Sequence, residues 1–280
     1  MGMAMAAEMK WNEFNQLAKL VYEHSGIHLE AHKLELLQAR LRKRLKALSM
    51  GSFKEYYQYV VSDGSGEELG RMLDHVTTNK TDFFREDKHF TLLSQKYLPS
   101  LISAADKRPD RTLRFWSAAC STGEEAYTLG MCALEAVLGT NVKVKVLATD
   151  LSSRVIEKAQ AGLYLEDRVA PVPAAFRQKY FSEKSHQGEM HFEVEPALRQ
   201  VVHFRRFNLK VESFHFTNPF DVIFCRNVMI YFNREAQEVV VRNLAGALRK
   251  DGYFFTGLSE SLLAISHPFK SVASSVYVKP

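Results

Sequence analysis

In HKLELLQARLRKRLKALS, Leu34, Leu37, Leu41, Leu45 and Leu48 recur at spacings of 3, 4, 4 and 3, which places them on one stripe of an amphipathic helix. Comparable helical spacing runs through WNEFNQLAKLVYEHSG, SFKEYYQYVVS and EELGRMLDHVTTN, so residues 8 to about 80 read as helical throughout. Ser52 with Glu55, and Ser65 with Glu68, match the S-x-x-E capping box that marks a helix start. From about residue 110 the pattern changes. The apolar runs LRFWSAA, VKVLATD, FDVIFC and GYFFTGL alternate with helical stretches at about 124–138, 152–161 and 233–249, and ASSVYVKP adds a late strand. That rhythm predicts a parallel sheet with helices on both faces. PAAFRQKYF is a further short helix. GEMHFEVEPALRQVVHFRRFN alternates with period two in EMHFEVE and in VVHFRRF, predicting two or three antiparallel strands inserted among the parallel ones.

Composition narrows the class. With 280 residues, 46% hydrophobic and 25% charged, the chain suits one large globular domain and a smaller one. No apolar run approaches the roughly 18 to 20 residues of a membrane span, and MGMAMAAEMKW has no export-signal pattern, so a cytoplasmic protein is expected. Cys120, Cys132 and Cys225 show no metal or redox spacing and read as reduced thiols. The net charge of +5 is unevenly placed. Lys33, Arg40, Arg42, Lys43, Arg44 and Lys46 project away from the leucine stripe, a cationic face that suits an acidic partner, nucleic acid or anionic lipid, or simply water. His24, His28 and His32 lack a nearby carboxylate or thiolate, and Gly26 interrupts their helix, so no metal is expected.

The chemistry concentrates in FWSAACSTGEEAYTLG. A strand ending near Ala118, a tight loop and a helix beginning near Glu124 form the place where open α/β sheets bind ligands. Ala118, Ala119, Ser121 and Gly123 are small enough for a ligand to lie against the backbone. The loop lacks the G-x-G-x-x-G or P-loop lysine that paired phosphates require. Glu124 and Glu125 would repel a pyrophosphate but suit an ammonium or sulfonium, although Ser121-x-x-Glu124 is also a capping box. Asp150 closes the next strand 27 residues beyond Gly123, where an acid reaches ribose hydroxyls or caps the following helix. A nucleoside without phosphates fits this combination, and S-adenosylmethionine is one. A nicotinamide enzyme shares the acid spacing but needs the missing diphosphate loop, and a non-catalytic adaptor would rest on the basic helix alone.

Two further segments face the same crevice. TNKTDFFRE, residues 78 to 86, mixes Asn79, Thr81 and Arg85 with Phe83 and Phe84, and a guanidinium beside an apolar wall is expected to find a carboxylate. FDVIFCRNVMIYFN follows a strand, placed at the fourth-strand edge, with Arg226, Asn227 and Tyr231.

With these motifs the chain resembles the chemotaxis receptor glutamate methyltransferases, the CheR family, over nearly its whole length: N-x-T-x-F-F-R, STGEE after a first strand, ATD ending a second, and FDVIFCRNVMIYF. The resemblance implies a helical N-terminal domain over 1–78, a linker and helix over 79–110, and a Rossmann-like α/β methyltransferase domain over 111–280 with a small antiparallel subdomain at about 188–207. It implies S-adenosylmethionine held by Asn79, Thr81, Arg85, Glu124, Asp150 on the ribose, Asn208 and Leu209 near the adenine, Arg226 and Asn227. Arg85 and Tyr231 would orient a receptor glutamate, giving a γ-methyl ester and S-adenosylhomocysteine. Arg40, Arg42, Lys43, Arg44 and Lys46 would dock on the helical bundle of a chemoreceptor, with no nucleic acid and no membrane insertion. Some relatives grip a tethered receptor-tail peptide with the subdomain; here the turn SEKSHQGEM is short, with only Gly188, which speaks against tethering.

Overall fold

The structure is a computed structural model and describes residues 7–280 apart from Gln187. Four helices come first: α1 (Trp11–Ser25), α2 (Leu34–Ala47), α3 (Phe53–Ser62) and α4 (Glu67–Val76). Their apolar faces meet in one cluster, where Leu37, Leu41 and Leu45 of α2 pack with Leu17, Val21, Tyr56 and Met72, while Leu34 and Leu48 close the stripe half-buried. α1 stops at Gly26, whose φ of 78° is left-handed and whose N–H returns to the Tyr22 carbonyl. A Cβ there would sit 3.2 Å from Phe232, so this helix end is also pressed against the second domain.

The expected capping boxes form only in part. Ser52 Oγ accepts the Glu55 N–H at 3.2 Å, but the Glu55 carboxylate takes the N–H of Gly51 instead of Ser52. At α4 the box is absent. Gly66 is the cap residue, Glu68 N–H goes to Asp63, and the Glu68 side chain, 2% exposed, is drawn inward by Arg44 at 2.6 Å and the Tyr56 hydroxyl at 2.9 Å. A buried carboxylate gains more from a guanidinium than from one N–H at a helix end.

Two sheets follow. The strands are β1 (Thr112–Ala118), β2 (Lys143–Asp150), β3 (Leu163–Leu165), β4 (Phe181–His186), β5 (Glu189–Val194), β6 (Val202–Arg206), β7 (Phe220–Cys225), β8 (Leu248–Phe255), β9 (Lys270–Ala273) and β10 (Val276–Val278). The large sheet runs β6-β2-β1-β7-β8-β10-β9, with the first five parallel and β10 antiparallel to both of its neighbours, β8 and β9. A continuous helical stretch, α5 (Lys88–Leu92), a π-helical turn at Leu93–Tyr97 and α6 (Leu98–Asp106), leads into β1. α7 (Glu124–Ala136) and α8 (Ser153–Ala161) follow β1 and β2, and the helix Arg234–Ala247 joins β7 to β8. Successive strand residues serve opposite faces: Phe115, Phe224 and Phe255 enter one core, Trp116, Ile223 and Phe254 the other. Burial on both sides is why these strands read as unbroken apolar runs.

The expected subdomain boundaries are corrected. VVHFRRF is not part of an antiparallel insert: β6 pairs in parallel with β2, from Val146 opposite Val202 to Asp150 opposite Arg206. The small sheet is β3-β5-β4, so it spans Leu163 to Val194 and recruits the LYL segment. Period-two alternation suits any strand with one wet face; which strand it joins is decided elsewhere in the fold. Likewise β7 lies at the centre of the large sheet beside β1, not at an edge.

Candidate active site

The sheet order reverses between β1 and β7, and a cavity of about 420 Å³ opens at the carboxyl ends of these strands, roofed by the helical domain. The two domains are joined at its rim. Ile27 bridges to Phe232, His28 N–H donates to the Tyr231 carbonyl at 2.8 Å, and Asn208 Nδ2 donates to the His24 carbonyl at 2.7 Å. Of the residues expected at a cofactor, Asn79, Thr81, Arg85, Asp150, Asn208, Leu209, Arg226 and Asn227 all line this cavity, as does Tyr231.

The loop after β1 turns through left-handed backbone at Ala119 (φ 67°), Ser121 (φ 50°) and Gly123 (φ 98°). The turn aims the Ser121 N–H at Asp150 Oδ2, 2.9 Å away, while Ser152 N–H binds Oδ1 at 3.0 Å. Ser152, not Asp150, caps α8 by accepting the Val155 N–H. Asp150 is 8% exposed, and burial pushes its carboxyl above the ordinary value against the pull of those N–H groups. Gly123 plays a different part from the one expected. A Cβ there would lie 2.9 Å from Ala159 Cβ, so the glycine lets α7 pack against α8; Ala119 and Ser121 face the cavity, and Ala118 is fully buried.

The acid assignment shifts by one residue. Glu124, expected at the cofactor, turns away: Oε1 takes Arg168 at 2.5 Å and Oε2 the Thr122 hydroxyl at 2.7 Å. Its capping box with Ser121 does not form, because Ser121 Oγ donates to the Asn79 carbonyl. Glu125 lines the cavity in its place, accepting the Ser117 hydroxyl at 2.7 Å with Arg226 Nη1 3.4 Å away, and burial raises its pKa. The sequence shows both acids; the 100° turn per residue of a helix decides which one faces the cavity.

The arginine expectation also moves. Arg85 donates to the Lys80 carbonyl at 2.9 Å and has no ion pair among the described residues. The carboxylate-bound arginine is Arg226, 5% exposed, which reaches Glu86 at 3.0 Å, the Arg85 carbonyl, and the faces of Phe90 and Phe224. Its Nε and Nη1 have no hydrogen-bond partner among the described residues. Glu86 also takes Asn227 Nδ2 at 3.2 Å and the Leu258 N–H at 3.3 Å; burial raises its pKa, but Arg226 and these donors outweigh that and hold it low. Beside it, burial and then the Arg226 charge push His89 down to about 4.

Sequence reasoning missed Glu260. This 7% exposed carboxylate gathers the N–H groups of Asn227 and Gly257 at 2.7 Å, Met229 at 2.8 Å and Ile230 at 3.4 Å. It thereby fixes Asn227 in a left-handed conformation (φ 58°) and shapes the turn carrying Tyr231. GLSESL reads as surface loop, and nothing in it announces a buried acid.

The basic helix does not present one face. Arg44 is tied to Glu68, Arg42 Nε donates to the Ala7 carbonyl, and Arg40 enters the cavity wall, donating to Thr78 Oγ1 at 2.7 Å and to the Val76 carbonyl. Only Lys43 and Lys46 of the expected docking residues are exposed.

Residues 79–278 match the CheR methyltransferase SAM-binding domain, and residues 12–77 match the CheR methyltransferase all-alpha domain. The chain belongs to the CheR methyltransferase family. It is 38% identical over 253 residues to a chemotaxis protein methyltransferase of Borreliella burgdorferi, covering 90% of this chain and 88% of that one. Chemotaxis protein methyltransferase 2 of Pseudomonas aeruginosa is 35% identical over 265 residues, covering 95% and 92%. Among solved structures, a glycopeptide N-methyltransferase crystallised with S-adenosylmethionine aligns at a TM-score of 0.36 and 16% identity, over 71% of this chain and 65% of that one. The protein is thus an S-adenosylmethionine-dependent methyltransferase. Its cleft fits that cofactor in kind: the buried acid Asp150 with lone pairs to spare, and the buried guanidinium of Arg226 with Nε and Nη1 lacking a hydrogen-bond partner among the described residues.

Proposed function

We propose that the protein transfers the methyl group of S-adenosylmethionine to glutamate side chains on the cytoplasmic helical bundles of chemoreceptors. The observation that carries this reading is that Arg85, Tyr231 and Arg40 of the helical domain, all half-buried, line the same cavity as Asp150. Cationic and hydroxyl groups around a cleft suit an anionic acceptor. Asp150 would take the ribose hydroxyls, Asn208 and Leu209 would flank the adenine, and Asn79, Thr81, Glu125, Arg226 and Asn227 would hold the amino acid head. Once bound, the cofactor supplies a methyl group on a positively charged sulfur.

The remaining work is positional. A glutamate side chain is already ionised at neutral pH, so the acceptor oxygen needs no general base. Arg85 and Tyr231 would hold that carboxylate in line with the methyl group, and the roof of α2 would keep out water that solvates the anion. Lys43 and Lys46 remain as the solvent-facing cations for an acidic receptor surface. The free edge of β4 is the strand to which a receptor tail could add, although the connection between His186 and Glu189 is only two residues long. Incubation with a receptor cytoplasmic fragment and labelled S-adenosylmethionine tests the proposal: glutamate methyl esters found by peptide mass spectrometry support it, and label only on lysine, arginine or cysteine refutes it.

A further inference from the structure

The irregular linker 78–86 carries Asn79, Thr81 and Arg85 to the cleft with no strand or helix of its own, so side-chain contacts must hold its shape. Some come from Ser121, Thr128 and Arg226, and the rest from the small sheet and the short helix that leaves it. Arg168, in the short helix Glu166–Val169 that leaves β3, directs Nη2 to the Thr81 carbonyl at 2.6 Å and to Glu124 at 2.5 Å, and Nη1 to Asp82 at 2.9 Å. Tyr164 of β3 donates its hydroxyl to the Thr122 carbonyl at 2.6 Å, and Phe83 of the linker packs edge-on against Tyr164 and Phe181 with ring centroids 4.9 and 5.5 Å away. One guanidinium therefore joins the linker, whose Thr81 and Asp82 line the cavity, to the first turn of α7.

We propose that Arg168 is a positioning residue for cofactor binding, holding Thr81 against the cleft while Glu124 holds Arg168; this rests on the S-adenosylmethionine reading of the cleft. The planar fork serves acceptors from two segments at once, which a lysine ammonium on a flexible stem does less well. Glu124 is 1% exposed and Arg168 36% exposed, so the acid supplies a fixed anchor and solvent screens part of the arginine's effect. The acid that the sequence places at the cofactor thus acts through an intermediary on the small sheet, and that sheet becomes part of the cofactor site.

The test is calorimetry with S-adenosylhomocysteine on the full chain as wild type, Arg168→Gln, Arg168→Lys, Glu124→Gln and the Arg168→Gln/Glu124→Gln double variant, with melting curves to show that each is folded. Arg168→Gln is expected to weaken binding about tenfold, Arg168→Lys by less, and the double variant no more than the worse single one, because both remove one linkage. In steady-state kinetics the cofactor KM should rise by a larger factor than kcat falls. A folded Arg168→Gln with wild-type affinity, or a double variant whose losses multiply, would overturn the proposal; if Arg168→Gln fails to fold, wild-type affinity and cofactor KM in Arg168→Lys do so. A wild-type protein that does not bind S-adenosylhomocysteine would sink the cofactor reading itself, a distinct result.

Discussion

Glu260→Ala should be among the most damaging single substitutions in this chain outside the apolar core. The side chain is 7% exposed and accepts three short N–H bonds, from Asn227, Gly257 and Met229, with a fourth, from Ile230, stretched to 3.4 Å. A hydrogen bond to a charged group contributes about 1.5–3 kcal/mol, and buried donors left unpaired cost a similar amount. The three bonds share one carboxylate and the loop can relax, so their sum overstates the loss; about 3–5 kcal/mol is expected, at the upper end for point variants. At about 2–4 °C per kcal/mol for a chain of this size, the melting temperature should fall by roughly 6–20 °C. Glu260→Gln keeps the shape but turns an NH2 group toward two of the donors, so it should recover only part of the loss. Differential scanning calorimetry reads the stability, and titration with S-adenosylhomocysteine reads Asn227, whose left-handed backbone depends on the Glu260 bond and the Glu86 contact. A Glu260→Ala protein melting within about 3 °C of wild type would refute the view that this carboxylate holds the loop together.

Asp150→Asn should weaken S-adenosylhomocysteine about ten- to a hundredfold. Because burial raises the Asp150 pKa, wild-type affinity should also fall as pH drops toward that raised value above 3.8, a slope the Asn variant loses; equal slopes in calorimetry would contradict the ribose role. His89, held down at about 4 by burial and then by Arg226, stays neutral in the fold while the unfolded chain takes a proton at 6.5, so stability should fall as pH drops from 6.5 toward 4. The full window is about 3 kcal/mol, and His89→Phe, between Phe224 and Phe255, should flatten it in urea melts run at about pH 7 and about pH 5; an unchanged slope would exclude His89 as its source. Arg44→Ala strands Glu68 beside Tyr56 and should cost about 3 kcal/mol, whereas Lys43→Glu with Lys46→Glu should leave the melting temperature unchanged and weaken receptor binding in a salt-dependent way. Receptor binding that is insensitive both to salt in the wild type and to this double charge reversal would remove the docking claim.

Local pattern was sufficient for much of this protein. The leucine spacing of α2, the double-sided apolar runs of β1 and β7, the missing diphosphate loop and the acid closing β2 are all short-range signals, because helix period, strand burial and turn chemistry depend on neighbours in the chain. They led to the domain order and to Asp150 at the cleft, whereas Asn208 and Leu209 came only from the family resemblance. What they did not contain was the partner of each charged group. Whether Glu124 or Glu125 faces the cavity, whether Arg85 or Arg226 finds the carboxylates, and whether Arg44 points to solvent or to Glu68 depend on groups 24 to 140 residues away. A strand such as β6 can likewise join either sheet until its neighbour is fixed. Ionic and hydrogen-bond pairing of buried groups is set by tertiary packing, since each costs free energy unless its complement arrives from elsewhere in the chain, and only the assembled fold brings the complements together.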